Sequence, residues 1–540
     1  MGLDATGREF WKTFDPQKSE RFPSSKKGTI NKLSRTGKSI GREELFAYTN
    51  GHFLIDEQRQ LELRYVKFDV DALCDVSAAA GPESSPVTAI EKMEGGFSKA
   101  FLMKRKNGTE VIAKLPCRNA GPPKSTTASE VAILQYIRHN TDIPVPAVYS
   151  WSSNISNPVG AEYIVMEEAR GVQLFKQWGE MTQLSKLELI KGLTILEHQL
   201  ACIRLPAYGS LYLRDSCPDL VRYQPLDTAG DSSGSYCVGP SCERAYMLEP
   251  DVSSMKNMDK GPWTSISAFG KAIANTQINR ITREVQVQLG TFYHGTSAEQ
   301  IDLLQDTIEI MELLHTHPIL SRHAQPILWH SDLHMGNIFI SPDDPSRIVS
   351  LIDWQSISIL PAFLQEKWPV FLKPPSNYPE WFVQPTLPDD FENLDSGDKA
   401  LATLEWNQAT RAKAYEVSNF LENRPAHNAM NVPRVFKGFS SDVAKYPIME
   451  SYHYEPVLLK YSKTGFQNEL LFQDYHAWHE VQELAKTCLD TDSEGWITPK
   501  LDFEEKQRQN KELLGMFIER MADKKTASEA TRMWPFSNGL

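Results

Sequence analysis

The run His330-Ser331-Asp332-Leu333-His334-Met335-Gly336-Asn337, with Ile352-Asp353-Trp354 downstream, holds the residue types that phosphoryl transfer demands. That reaction asks little covalent work of a protein; it needs positioning and charge stabilisation. A carboxylate must orient an acceptor hydroxyl and take its proton, and Asp332 is the candidate. An amide oxygen five residues later, on Asn337, can hold a magnesium ion, and Asp353 can clamp magnesium against nucleotide phosphates. Mg²⁺ prefers hard oxygen ligands and commonly takes one or two carboxylates together with substrate phosphates. The Asp-to-Asn spacing equals that of the H-R-D-x-x-x-x-N catalytic loop.

These groups need strands to hold them. Ile327-Leu328-Trp329 precedes the loop, Ile338-Phe339-Ile340 follows it, and Ile348 to Ile352 leads into Asp353. Upstream, Glu94-Gly95-Gly96-Phe97-Ser98 enters two strand-like runs, Ala100 to Met103 and Val111 to Leu115, around an Asn107-Gly108 hairpin signal. A glycine pair lets backbone amides approach an anion closely. Lys114, near the end of the second run, can reach phosphates. Thr127-Ala128-Ser129-Glu130 matches a capping box and opens a helix. Glu130 therefore has two readings: ion-pair partner of Lys114, in the order kinases use, or reciprocal partner of a Thr127 cap. Glu162 to Met166 reads as a strand, and Glu167-Glu168-Ala169-Arg170-Gly171 as the connector. In a two-lobed kinase that connector is the hinge, whose backbone carbonyl and amide bond the adenine. Amphipathic helices follow at 184–204, with Leu189, Leu193, Leu196, Leu200 and Ile203 in one stripe, and at roughly 298–316. His315 reads as a residue of that second helix's end. Residues 76–86 read as a linker and 215–262 as an elaborated loop region.

Taken together, the catalytic loop and Ile352-Asp353-Trp354 resemble the aminoglycoside phosphotransferase and choline kinase superfamily of small-molecule kinases. With Glu94-Gly95-Gly96-Phe97-Ser98-Lys99, Ala113-Lys114-Leu115-Pro116 and Tyr208-Gly209-Ser210-Leu211-Tyr212, the chain is similar to a fungal branch, the altered inheritance of mitochondria proteins. The motifs span roughly residues 45–365. The resemblance implies an α+β, bilobal protein-kinase-like fold, with a small β-rich N-lobe and a larger helical C-lobe. It makes Asp332 the catalytic base and Asn337 and Asp353 the magnesium ligands. It also makes Lys114 the α/β-phosphate contact with Glu130 as its partner, and Gly95, Gly96 and Ser98 the phosphate cover. Glu167 and Ala169 supply the hinge contacts, while His330 and His334 pack the loop. Mg²⁺ with ATP is the implied cofactor set, and an unidentified small molecule the acceptor. Trp354-Gln355 in place of Phe-Gly, and no Ala-Pro-Glu, argue against a protein kinase with a regulated activation loop. Gln355 stands where related small-molecule kinases often carry an acid, which leaves a catalytically weak or inactive kinase-fold protein in mitochondrial maintenance as the alternative.

The bulk numbers set bounds. At 540 residues with 41% hydrophobic and 23% charged residues, the composition is that of a globular protein of more than one lobe. Its net charge of -12 argues against a surface built for nucleic acid, and no apolar run approaches a bilayer span. The lobes are expected as a flexible basic arm over 1–44, an N-lobe over 45–168 and a C-lobe over 169–540. Met1-Gly2-Leu3-Asp4-Ala5-Thr6 fits the short myristoylation pattern. The acids at 4, 9, 15 and 20 count against a transit peptide, so the address is mitochondrial by resemblance and cytoplasmic otherwise. Seven cysteines without a CxxC pair read as reduced thiols. The acidic stretch Asp389 to Asp395 is a solvated face or a surface for a cationic substrate. The helix from Asp502 to Lys524, with Leu513, Phe517 and Met521, is expected against the large lobe. A zinc hydrolase built on His330, Asp332 and His334 would leave Asn337 and Lys114 without a task.

Overall fold

The computed structural model describes residues 30–34, 37–219, 221–227, 230–244, 258–283, 297–375, 378–379, 382–433, 481–523 and 525–537. The Met1 to Thr6 pattern lies outside them.

The hairpin forms where Asn107-Gly108 demands it. Ser98–Arg105 and Glu110–Pro116 pair antiparallel, and Gly108 takes a φ of +84° that a side chain would resist. They lie at the centre of a six-stranded sheet. Its order is Asn31–Ser34, Val87–Glu94, Ser98–Arg105, Glu110–Pro116, Tyr163–Glu167 and Val148–Ser152. Alternation gives the sheet two apolar faces. Ile90, Phe101, Met103, Val111, Ala113 and Val165 pack with Val70, Leu73 and Phe46. On the other face, Ile164 and Met166 pack on Val131 of the helix Ser125–Asn140.

Two expectations for this lobe are corrected. The arm over 1–44 is structured near its end: Asn31–Ser34 is an edge strand, parallel to Val87–Glu94, and Arg42–Phe46 is a helix. Nor is 76–86 all linker, because Val70–Ala79 is helical, with Asp69 accepting from the Ala72 amide at 2.9 Å.

Past Glu167 the chain turns at Gly171 (φ +92°), where a Cβ would lie 2.3 Å from the Ile340 carbonyl oxygen. Val172–Gln173 then pairs with Ile338–Ile340, which pairs with Ile348–Leu351. The helix Gln183–Ala201 buries Leu189, Leu193 and Leu200 in the C-lobe core and packs on Ser396–Glu422. Ser297–His315 packs on Ile266–Arg283 and buries Leu304 and Met311, with His315 at its end. The described part of 215–262 is more than loop. Tyr236–Gly239 pairs with Ser210–Leu213, and Cys237 and Cys242 are fully buried free thiols. Asp395, at the end of the acidic stretch, caps Ser396–Glu422 by accepting from Gly397 and Asp398 amides. The result is a bilobal α+β kinase-like fold. No helix among the described residues is long and apolar enough to cross a membrane.

The end of the chain overturns its expected docking. Among the described residues, the helix Phe503–Met521 contributes nothing to the large lobe's core; its Leu513 and Phe517 join Leu54, Leu489, Ile497, Trp534 and Phe536. Trp496–Ile497 pairs antiparallel with His52–Phe53, and Trp496 Nε1 donates to the Asn50 carbonyl at 2.9 Å. Gly51 (φ +125°) permits that approach, since a Cβ there would fall 2.4 Å from Trp496 Nε1. Residues 481–537 thus pack on a segment of the N-lobe, although 169–540 was expected as one C-lobe. Leu513 and Phe517 define an apolar face in sequence, but the face does not say which lobe it will meet.

Candidate functional site

Strand register brings Lys114 inward, opposite Ala100 on one side and Ile164 on the other. Its Nζ donates to Glu130 Oε1 at 2.6 Å and to Asp353 Oδ1 at 2.8 Å. Of Glu130's two readings, the ion pair is the one formed. Its helix starts at Ser125, and Thr127 Oγ1 instead donates to Glu162 Oε2 at 2.6 Å, so the capping box is corrected. Glu162 also accepts the Lys124 amide at 2.8 Å, a cap supplied from another strand's start that no local pattern announces. The Lys114 and Glu130 side chains are 9% and 4% exposed, whereas Asp353 is 41% exposed. Burial opposes the Lys114 charge, but Asp353 and then Glu130 outweigh it and hold its pKa above the ordinary value. Burial raises the Glu130 carboxyl, with Lys114 opposing. Asp353 is also penalised by burial, yet Lys114 holds it below the usual carboxylate range. Asp353 sits at φ +66°, a backbone state that costs a non-glycine residue about 1–3 kcal/mol. The surrounding fold imposes that strain on the residue that carries the open carboxylate.

The catalytic loop is built from its own hydrogen bonds. Asn337 Nδ2 donates to the Asp332 carbonyl at 3.0 Å, and the Ile352 amide to the Asn337 carbonyl at 3.0 Å. Asn337 and Asp353 therefore stand at adjoining ends of two paired strands. The Asp332 side chain is 69% exposed, with its Oδ2 4.0 Å from His334 Nε2. His334 Nδ1 accepts the Gly336 amide at 3.0 Å, and a Cβ on Gly336 would press on that ring at 2.7 Å. His330 is buried edge-on against Trp354 and donates Nε2–H to the Ile352 carbonyl at 2.9 Å, while its Nδ1 is buried without a partner. Burial lowers its pKa, with the Ile352 hydrogen bond and then Asp353 opposing. Among the described residues no group of three His, Cys, Asp or Glu is placed to hold a metal, so His330, Asp332 and His334 do not form a zinc cluster.

The remaining candidates divide between the glycine turn and the hinge. Gly95 and Ser98 close a turn in which the Gly95 amide donates to the Ser98 carbonyl at 3.0 Å, and nothing lies within 4 Å of a Cβ built on Gly95 or Gly96. At the hinge, the Glu167 carboxylate is spent on the Ala147 amide (3.3 Å) and Arg170 (2.9 Å). Any ligand contact by Glu167 or Ala169 would thus use the backbone.

Four residues to which the sequence assigned no role, Glu94, Lys92, Lys99 and Gln173, brace the glycine turn and the catalytic loop. Glu94 accepts from the Thr49 amide at 2.5 Å and pairs with Lys92 at 2.8 Å and Lys99 at 3.2 Å, all nearly fully buried. Strand alternation could have placed Lys92 and Lys99 on one inward face, but a buried lysine is rare enough that nothing favoured that face. Gln173 Nε2 donates to the Gly336 carbonyl at 2.9 Å and ties the hinge exit to the catalytic loop.

For magnesium, the donors present fit. Asp353 offers an accessible carboxylate, and Asn337, with Nδ2 committed to Asp332, has its amide oxygen as the remaining polar group. Both are hard oxygens. Among the described residues no group of three or more His, Cys, Asp or Glu is placed to hold a metal, so phosphates and water would fill the other positions.

No family model matches the chain. A subtelomeric hrmA-associated cluster protein of Aspergillus fumigatus (strain CBS 144.89 / FGSC A1163 / CEA10) is 30% identical over 380 residues, covering 63% of this chain and 72% of that protein. The chain belongs to that protein's family. Altered inheritance of mitochondria protein 9, labelled mitochondrial, from Saccharomyces cerevisiae (strain YJM789) is 22% identical over 455 residues, 71% of this chain and 72% of that protein. The expected kinship with that fungal branch is therefore found. Among solved structures, the streptomycin–ATP–APH(2")-IIa ternary complex is similar at a TM-score of 0.34 and 13% identity, covering 75% of this chain and 99% of that one. The ADP-bound aminoglycoside phosphotransferase APH(2'')-Ib gives a TM-score of 0.33 at 14% identity, covering 76% and 96%.

Proposed function

We propose that this chain is an ATP- and Mg²⁺-dependent phosphotransferase acting on a hydroxyl of a small molecule. The observation that carries the reading is Lys114 held between Glu130 and the accessible Asp353, with Asn337 bonded beside it and Asp332 open to solvent. Lys114 holds the nucleotide phosphates, and Glu130 keeps its ammonium in place. The turn at Gly95, Gly96 and Ser98 covers the phosphates, while backbone groups of Glu167 and Ala169 receive the adenine. Asp353 and Asn337 hold Mg²⁺, which when bound neutralises charge developing on the phosphate oxygens. Asp332 orients the acceptor hydroxyl and takes its proton. The label on the yeast relative supports a mitochondrial address.

A second reading, a kinase-fold protein that binds nucleotide without transferring phosphate, is favoured by Gln355, whose Nε2 is buried without a partner two residues past Asp353. The two readings separate on one pair of measurements. Mg·ATP should raise the melting temperature; saturation at 100-fold over Kd is worth about 2.7 kcal/mol. Transfer of labelled phosphate from ATP to a metabolite pool should then identify the acceptor. A thermal shift without any transfer selects the binding protein, and no shift at millimolar nucleotide would sink both.

A further inference from the structure

The glycine turn is held from two directions by a part of the chain remote from it in sequence. At its base, Lys99 Nζ donates to the Ala47 carbonyl at 2.7 Å, and Glu94 accepts from Thr49. The segment carrying those groups is clasped in turn by the chain's end, through Trp496 on the Asn50 carbonyl and the pairing of Trp496–Ile497 with His52–Phe53. At the tip of the turn, the Phe97 ring lies under the Arg244 guanidinium, 3.9 Å from its centroid. Arg244 donates to Glu494 Oε1 at 3.1 Å, and Glu494 Oε2 takes Arg64 at 2.5 Å. Arg64 is 1% exposed and rests over the Phe53 ring at 4.4 Å. One carboxylate from the C-terminal segment therefore anchors two guanidiniums, one deep in the N-lobe and one at the loop tip.

A turn with two adjacent glycines has wide backbone freedom, and ordering it for a ligand costs entropy unless something already holds it. Phe97 is the large side chain of this turn, and thus its handle. We propose that residues 481–537 set the position of the glycine turn. In this arrangement Arg244 is a positioning residue that links Glu494 to Phe97, and nucleotide affinity depends on that link. The affinity half rests on the phosphotransferase reading; the loop-holding half does not.

The experiment uses the full chain with Arg244→Ala, Phe97→Ala, the double variant, Glu494→Gln and Phe97→Tyr. Arg244 is 43% exposed, so its truncation should leave the melting temperature unchanged, and Glu494→Gln keeps the shape of the side chain. Without nucleotide, hydrogen exchange is read at the Gly95 and Cys117 amides, which donate to the Ser98 and Phe97 carbonyls. Arg244→Ala and Glu494→Gln should each speed that exchange, and weaken Mg·ATP binding, by about fivefold, the scale of one cation–π contact. The double variant should be no worse than either single alanine, because both break one link. Phe97→Tyr keeps the ring and should behave as the parent. Unchanged exchange in Arg244→Ala and Glu494→Gln overturns the proposal, and so do affinity losses that add in the double variant, which would mean Arg244 acts on the nucleotide without Phe97. If the parent protein fails to bind Mg·ATP, the phosphotransferase reading falls, while the exchange arm still tests the link.

Discussion

Two lysine–carboxylate clusters built on the N-lobe sheet, around Lys114 and around Glu94, are of opposite design. Around Lys114, one ammonium faces two carboxylates, and one of them, Asp353, is open to solvent. Around Glu94, one carboxylate faces two ammoniums, Lys92 and Lys99, and everything is sealed. Backbone and hydroxyl groups finish the sealed cluster: Lys92 also donates to the Glu44 and Ala47 carbonyls and to Thr49 Oγ1. Burial lowers the Lys92 pKa, with Glu94 opposing, whereas Lys114 is raised by its carboxylates against burial. Glu94 is penalised by burial, yet Lys99 and Lys92 together hold it below the ordinary carboxylate value. The first cluster keeps excess negative charge on a solvent-accessible carboxylate, which suits a cation and phosphates. The second closes its charges on one another and on backbone carbonyls, and suits support of the turn beside it.

The largest expected effect tests the open side. Asp332→Asn should reduce phosphate transfer by about 10²–10⁴-fold, the worth of a positioned general base, with nucleotide binding intact. Equal turnover in that variant removes Asp332 from its role. Next, Lys99→Met leaves a buried carboxylate short of a partner and should cost about 3–5 kcal/mol of folding stability in a denaturant titration. Lys114→Met should instead abolish nucleotide binding at a smaller cost in stability, because the Asp353 carboxylate it leaves behind is solvent-accessible. If the two substitutions destabilise equally, the division into site and support fails. Asp353→Asn should erase the Mg²⁺-dependent part of the ATP thermal shift, a share of the about 2.7 kcal/mol that Mg·ATP binding is worth at 100-fold saturation.

The smallest effect uses a third buried acid that has no lysine. Glu197 accepts from Tyr415 Oη at 2.8 Å, and burial pushes its pKa up to about 8. Between the ordinary value of 4.5 and about 8, the folded state keeps a proton that the unfolded chain releases. Stability must then fall as pH rises, by up to about 1.4 kcal/mol per pH unit. Glu197→Gln removes that slope, so denaturation midpoints of variant and parent should converge at low pH and separate, in the variant's favour, toward pH 8. Parallel curves would show that Glu197 is ionised in the folded protein.

What could be read from sequence was local and periodic. Asn107-Gly108 fixes a hairpin because few residues accept its φ, and the Asp332-to-Asn337 spacing fixes a loop that bonds to itself. The stripe of Leu189, Leu193 and Leu200 identifies a core helix for the same reason: the pattern and its physical cause lie in one segment. Tertiary structure alone decided the matters in which a side chain had a choice of partners. Glu130 turned to Lys114 and not to Thr127, since Glu162 took the Thr127 hydroxyl from another strand. Lys92 and Lys99 became buried supports because Glu94 and the carbonyl of Ala47 converge on them. Phe503–Met521 went to the N-lobe because Gly51 lets Trp496 close on Asn50. An apolar face or a charge declares in sequence that it needs a partner; which partner satisfies it depends on what the folded chain brings within about 3 Å.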